Sequence, residues 1–229
     1  MKMRILPSLL AADLGQLRDE LMRVKAAGAD GLHLDIMDGH FVPNLSFSPD
    51  ISALCRRTLG MDYEVNTHLM MTNPQAYGVR FIEKGSTSIQ FHLEVMKPEE
   101  VLPLVANLRG AGARVGVVIN PDTPAEVALP FVEGVDEVLC MTVFPGYGGQ
   151  AFIAEVLPKI RTLRQAALDL EIMVDGGVNF ETAEAAARAG ANAFVAGSFL
   201  FKQPDMGAAI AEMRARCKAC YGADLGLRP

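Results

Sequence analysis

Two periodicities alternate along this chain. Short runs of aliphatic and β-branched residues predict strands over 4–8, 31–37, 63–69, 87–92, 114–119, 137–142, 171–175 and 192–196. Between them, apolar positions recur every three or four residues, as an amphipathic helix requires. Leu14, Leu17, Leu21 and Val24 form one such stripe, Ile153, Val156, Leu157, Ile160 and Leu163 a second, and Met206, Ile210, Met213 and Cys217 a third. The punctuation agrees: Asp13, Asn73-Pro74 and Thr123-Pro124 open predicted helices, while Gly28, Gly85, Gly110, Gly112 and Gly190 close them before the next strand. Eight strand-then-helix units of roughly 29 residues each match the compact end of the eightfold α/β barrel. No linker or low-complexity segment interrupts them, so the expected fold is a single-domain (β/α)8 TIM barrel over 1–229. An open doubly wound sheet is the competing architecture, but it usually stops at fewer strands.

Composition adds exclusions. Half of the residues are hydrophobic and the net charge is −6, with no run of Lys or Arg, so nucleic acid and anionic membrane are not expected partners. The first seven residues carry no signal-peptide core, and no apolar run nears the ~20 residues of a membrane span, which predicts a cytoplasmic protein. Cys55, Cys140, Cys217 and Cys220 are too few to form a disulfide framework, and Cys217-x-x-Cys220 lacks a second ligand pair.

The candidate chemistry begins at 31–37. Strand alternation sends Leu32, Leu34 and Ile36 to one face and Gly31, His33 and Asp35 to the other. A buried His and Asp need a partner; either a divalent metal or an ordinary His–Asp hydrogen bond supplies one. In a barrel, functional groups gather where strands end, and the predicted ends carry Ser8, His33, Asp35, His68, His92 and Asp175. Asp35 and Asp175, on the second and seventh strands, should face each other across the mouth. They can serve as base and acid on the two faces of a bound carbon, or as metal ligands and nothing more. Gly146, Tyr147, Gly148 and Gly149 follow the sixth strand, Gly176 and Gly177 the seventh, and Gly197 and Ser198 the eighth. Glycine loops of this kind expose backbone N–H groups to phosphate. Met37, Met70 and Met141 fall at or just past strand ends, as core filler or as an apolar lining above the reacting carbon. His40 belongs to a loop, and His92 either supports a ligand or is structural.

Seven segments resemble the ribulose-phosphate 3-epimerase family in order and content. They are Pro7-Ser-Leu-Leu-Ala-Ala-Asp13, His33-Leu-Asp-Ile-Met-Asp-Gly-His-Phe-Val-Pro-Asn44, Thr67-His-Leu-Met70, Asn120-Pro-Asp-Thr-Pro124, Pro145-Gly-Tyr-Gly-Gly-Gln-Ala-Phe152, Val174-Asp-Gly-Gly-Val-Asn179 and Ala196-Gly-Ser198. The resemblance implies a homo-oligomeric enzyme that interconverts D-ribulose 5-phosphate and D-xylulose 5-phosphate. It also implies one divalent metal per chain (Zn²⁺, Fe²⁺, Mn²⁺ or Co²⁺) on His33, Asp35, His68 and Asp175, with the two acids doubling as proton-transfer groups. Ser8 and His68 would touch the sugar, and the glycine loops would hold its phosphate. The sequence departs from the family pattern at Phe144, at Leu93 and across Asn44-Leu-Ser-Phe-Ser-Pro49. These loops shape the pocket, so allulose 6-phosphate is the alternative substrate. Two other classes are weighed: a metal-dependent phosphohydrolase, which would set its metal at the phosphate, and a Schiff-base aldolase, which needs a lysine in the mouth. Lys25, Lys84, Lys159 and Lys218 are expected on helices, Lys2 before the first strand, and Lys97 and Lys202 beyond strand ends.

Overall fold

The computed structural model describes residues 1–227; Arg228 and Pro229, the end of the expected 1–229 domain, lie outside the described residues. Eight parallel strands, β1 (Arg4–Pro7), β2 (Leu32–Met37), β3 (Val65–Met70), β4 (Ser88–His92), β5 (Arg114–Ile119), β6 (Glu137–Met141), β7 (Glu171–Asp175) and β8 (Ala193–Ala196), run in the order β1-β8-β7-β6-β5-β4-β3-β2. An isolated parallel bridge between Ser8 and His33 draws β1 to β2 and closes the ring. The architecture is the expected TIM barrel.

The alternation along each strand sorts residues into two cores. Outward-facing Leu32, Leu34, Val65, Leu69, Val115, Val117, Ile172 and Val174 pack beneath the surrounding helices in one continuous apolar layer. Inward-facing Leu6, Val118, Leu139, Met173, Ala193 and Val195 fill part of the barrel axis. The remaining interior, contributed by β2, β3 and β4, is polar: His33, Asp35, Asn66, His68, Ser88 and Gln90 are all buried. Ionic groups close the barrel floor, where Arg4 pairs with Glu64 and Glu171 and Arg114 lies near Glu64, Glu137 and Glu171. Gly116 faces this floor, and a Cβ there would run into the Glu137 side chain.

Most helices stand where periodicity places them: α1 (Leu17–Ala26), α2 (Asp50–Leu59), α3 (Pro74–Glu83), α4 (Pro98–Gly110), α5 (Leu157–Ala166), α6 (Phe180–Ala189), the short α7 (Ser198–Phe201) and α8 (Met206–Cys220). Two differences have local causes. The segment after Pro124 forms two 3₁₀ turns, Ala125–Val127 and Leu129–Phe131, in place of a helix. Pro130 would stand inside that helix without an N–H and against the carbonyl of Glu126. Asp13 does cap a turn, accepting from the Gly15 N–H at 2.8 Å, but the turn is a 3₁₀ turn and α1 starts only at Leu17. Leu14 therefore leaves the apolar stripe and is 59% exposed. Among the described residues no helix is long and apolar enough to cross a membrane.

Candidate active site

The strand register assembles the site. Asp35 lies beside His68 in the β2–β3 ladder, and Met141 lies beside Asp175 in the β6–β7 ladder. His33 and Asp35 rise from one face of β2, His68 from β3, and Asp175 closes the set from the end of β7. One donor atom from each lies within 4.8 Å of every other. The His33 Nε2 sits 3.5 Å from Asp35 Oδ1 and 3.8 Å from Asp175 Oδ2; the His68 Nδ1 sits 3.4 Å and 3.9 Å from the same two oxygens. These separations are long for hydrogen bonds and leave room for an ion between the four groups.

The donor set fits a divalent metal, and two orphaned atoms make the case. His33 Nε2 and His68 Nδ1 are fully buried and have no hydrogen-bond partner, a costly arrangement unless something binds them. For His33 the lone pair is fixed from behind. Its Nδ1 donates to Asn66 Oδ1 at 2.6 Å, and the Asn66 amide is oriented by donating to Ser88 Oγ and Glu137 Oε1. Nε2 of the neutral ring is thus an acceptor aimed at Asp35 and Asp175. His68 turns its other nitrogen to His92, Nε2 to Nε2, at 2.8 Å. Two imidazole nitrogens and two carboxylate oxygens suit a borderline ion.

In the metal-free chain the same four groups share protons. Burial alone would lower the His33 imidazole, but the Asp35 and Asp175 carboxylates override it and raise it to about 9. Burial lowers His68 to about 4 against the upward pull of the nearby Asp35 carboxylate. For Asp35, burial pushes upward, yet the His33 charge and the proximity of the His33 and His68 rings hold it well below the ordinary carboxylate range. Asp175 moves the other way: burial, reinforced by the charge on Asp35, raises it to about 7. Two acids facing one centre are thereby driven apart.

Above the cluster opens a cavity of about 410 Å³, within the range of small-molecule sites. Met37, Met70 and Met141 line it, all nearly buried. Ser8 lines it too, and its hydroxyl donates to Asp35 Oδ2 at 2.5 Å. Gly146, Tyr147, Gly148, Gly149, Gly176, Gly177, Gly197 and Ser198 make up the opposite wall. The backbone N–H groups of Gly148, Gly177, Gly197 and Ser198 donate to no backbone acceptor within these loops. Gly177 has a φ of +64°, and a Cβ there would lie 2.5 Å from the Phe152 backbone nitrogen, so only glycine keeps the loop this close. Across the entrance, Asn44 donates to the Gly146 carbonyl at 2.8 Å and Tyr147 to the Pro43 carbonyl at 3.0 Å, tying the loop after β2 to the loop after β6.

All of the sequence-predicted site residues therefore meet at one mouth. His40 stays in its loop, bonded to Asp38. His92, with two readings open from sequence, bonds His68. Four contributors escaped the sequence reading: Asn66 and Glu137 behind His33, Glu94 behind His92, and Lys202, which lines the cavity. Lys202, expected beyond a strand end, reaches the mouth. Among the described residues it is the only basic side chain in the cavity lining, exposed and next to the short helix that starts at Ser198. The Cys217 and Cys220 thiols are free and buried in α8, away from this cavity.

A parallel eight-stranded barrel with imidazole and carboxylate donors converging at the C-terminal ends of its strands has the layout of a metal-centred barrel enzyme. The sequence pattern of the "Ribulose-phosphate 3 epimerase family" matches residues 4–201, and the chain belongs to that family. It is 42% identical over 215 residues to the cytoplasmic isoform of ribulose-phosphate 3-epimerase from Oryza sativa subsp. japonica, covering 92% of each chain. It is 41% identical over 216 residues to ribulose-phosphate 3-epimerase from Bacillus subtilis, covering 92% of this chain and 98% of the other. The fold alone extends further: orotidine 5'-phosphate decarboxylase from Pyrococcus horikoshii OT3 superposes with a TM-score of 0.67 at 13% identity, over 93% of this chain and 98% of that one.

Proposed function

We propose that this chain is a metal-dependent epimerase that inverts carbon 3 of a phosphorylated ketose, interconverting D-ribulose 5-phosphate and D-xylulose 5-phosphate. The observation that carries this reading is the pair Asp35 and Asp175. They reach one centre from β2 and β7, on opposite sides of the mouth, where one carboxylate can serve each face of a bound carbon.

His33, Asp35, His68 and Asp175 would hold the metal. When bound, a divalent ion supplies Lewis acidity that stabilises the negative charge developing on the substrate oxygens, an effect worth several kcal/mol. The chain does the rest. Asp35, its Oδ2 gripped by the Ser8 hydroxyl, takes the proton from carbon 3 on one face. Asp175, on the far side of the mouth, returns a proton to the other face, and the roles exchange in the reverse direction. Each such acid or base contributes typically ~10²–10⁴ in rate. Met37, Met70 and Met141 keep the reacting centre apolar and exclude water from it. The free N–H groups of the glycine loops, with Lys202 beside them, receive the phosphate. Zn²⁺, Fe²⁺, Mn²⁺ and Co²⁺ all suit these ligands, and availability selects among them. A homo-oligomeric state and a cytoplasmic location belong to the same proposal, on the strength of the family resemblance; sedimentation velocity tests the first.

A phosphohydrolase is not favoured, because the imidazole and carboxylate donors converge on one another and no residue of the glycine loops is among them. Nor is a Schiff-base aldolase, because Lys202 is exposed on the glycine side. Allulose 6-phosphate is the competing sugar, given Phe144, Leu93 and the loop from Asn44 to Pro49. The deciding experiment is a coupled assay of the metal-loaded protein on D-ribulose 5-phosphate and D-allulose 6-phosphate side by side. The pentose phosphate is expected to give the higher kcat/KM; a preference for the hexose phosphate would reverse the assignment.

A further inference from the structure

Behind His68 stands a second imidazole, and behind that a carboxylate that the reaction itself does not need. His68 Nε2 meets His92 Nε2 at 2.8 Å, and His92 Nδ1 meets Glu94 Oε2 at 3.0 Å. Both rings are fully buried. A carboxylate only accepts, so the proton on His92 must sit at Nδ1. Its Nε2 is then a lone pair, which accepts from His68 Nε2–H. That leaves His68 Nδ1 bare, and Nδ1 is the unpartnered atom aimed at Asp35 and Asp175. Reversing both protons would set the His92 Nδ1 lone pair against the Glu94 carboxylate.

We propose that Glu94 is a positioning residue: acting through His92, it fixes the tautomer of His68 and so keeps the Nδ1 lone pair available to the metal. Glu94 is itself held by structure remote from the mouth. Its Oε1 accepts from the Asn120 N–H at 2.7 Å and from the Thr123 hydroxyl. The carbonyls of Asn120 and Pro121 are in turn bound by Lys159 Nζ, at 2.6 Å and 3.2 Å, from α5. The His92 ring is further confined by stacking on His68, with ring centroids 5.0 Å apart, and by Phe41 at 4.5 Å. A freely rotating imidazole pair has no preferred direction for its protons. This one is given a direction by one fixed acceptor at its far end.

The inference rests on the reading of His68 as a metal ligand, and its test uses no sugar, so it stands apart from the choice of reaction. Two variants are compared with wild type. Glu94→Ala removes the acceptor; Glu94→Gln retains an amide oxygen that can accept from His92 Nδ1–H. Long-range ¹H–¹⁵N correlation spectra of the metal-free, histidine-labelled protein, recorded above the ordinary imidazole pKa of ~6.5, report the tautomer of each ring. The expected result is His92 protonated at Nδ1 and His68 at Nε2 in wild type and Glu94→Gln, with that order lost in Glu94→Ala. The Zn²⁺ dissociation constant, measured by competition with a chelating dye, should weaken ~10–100-fold in Glu94→Ala and stay near wild type in Glu94→Gln. A wild-type His92 protonated at Nε2 would overturn the proposal without any variant. Unchanged tautomers and unchanged Zn²⁺ affinity in a folded Glu94→Ala would overturn it equally. If wild type bound no Zn²⁺ while showing the expected tautomers, the metal reading would fall and the relay would stand.

Discussion

The Glu137 carboxyl is buried in the barrel floor, and its surroundings set up a measurable conflict with pH. Its Oε1 accepts from Asn66, Ser88 and Gln90, at 3.0, 2.5 and 2.9 Å, while its Oε2 has no hydrogen-bond partner. Burial raises this carboxyl from 4.5 to about 7, and the charge of Glu171 adds to the rise against the pull of Arg114. The folded state therefore holds a proton that the unfolded chain has released between these two values. Stability from this group is fully present below about pH 4.5, declines as pH rises, and is lost above about 7. A separation of that size corresponds to roughly 3 kcal/mol, or ~6–12 °C in Tm for a chain of this length. Glu137→Gln mimics the protonated form: its amide oxygen can still receive the three donors, and its NH₂ takes the place of Oε2. Thermal unfolding of the two proteins in chelator, at pH 4.5 and pH 8, isolates the effect. The variant should match wild type at the lower pH and exceed it by that margin at the higher one. An equal Tm difference at both pH values would refute the reasoning.

Three further outcomes follow from the site. His68→Ala should lose most of the metal found by elemental analysis of wild type, because it deletes one of the four proposed ligands; a variant that retained a full complement would remove His68 from the set. Asp175→Asn, checked for retained metal, should lose epimerisation by at least the ~10²–10⁴ of one acid–base partner, while wild type in deuterated water should incorporate deuterium at carbon 3. A metal-loaded variant with near-normal turnover would reduce Asp175 to a ligand. Lys202→Met should raise KM about fivefold, the equivalent of the ~1 kcal/mol of an exposed ion pair, leave kcat unchanged and flatten the salt dependence of KM; a KM insensitive to the substitution would place the phosphate elsewhere.

Much of this molecule is legible in its sequence because two signals are local. Period-two alternation in 31–37 separates His33 and Asp35 from Leu32, Leu34 and Ile36 without reference to the rest of the chain, and all eight strands begin and end within two residues of where the pattern puts them. A barrel then sends every strand end to the same mouth, so His68 and Asp175 join that pair by topology alone. The supporting residues are hidden for the opposite reason. Asn66 and Glu137 are 71 positions apart in sequence and meet only across the closed barrel. Glu94 stands two residues beyond His92, a spacing that announces nothing until the loop after β5 folds over it. Lys202 lies past the end of the last strand, where a sequence pattern does not distinguish a mouth from a surface. The missing helix after β5 had a local signal in Pro130, which outweighs the helix-like start at Thr123-Pro124.

The barrel interior explains why four ionisable groups can converge in a protein core. Above the ionic floor the axis is largely apolar on β5 to β8 and β1, and on β2 to β4 it is polar. Each buried polar group in the second sector is partnered by the next one down: His33 by Asn66, Asn66 by Ser88 and Glu137, His68 by His92, His92 by Glu94. At the mouth this chain of partners stops, where His33 Nε2 and His68 Nδ1 face Asp35 and Asp175 with no hydrogen-bond partner among the described residues; Gln90 Oε1 and Glu137 Oε2 are likewise unpartnered within the barrel. A satisfied network rigidifies a core, and each unsatisfied group in it is costly. In the metal-free chain, protons shared by His33 and Asp175 lower that cost; a divalent cation held by the four groups would remove it. The site is thus a place where the hydrogen-bond network is open toward the cavity, beside the two carboxylates that line it.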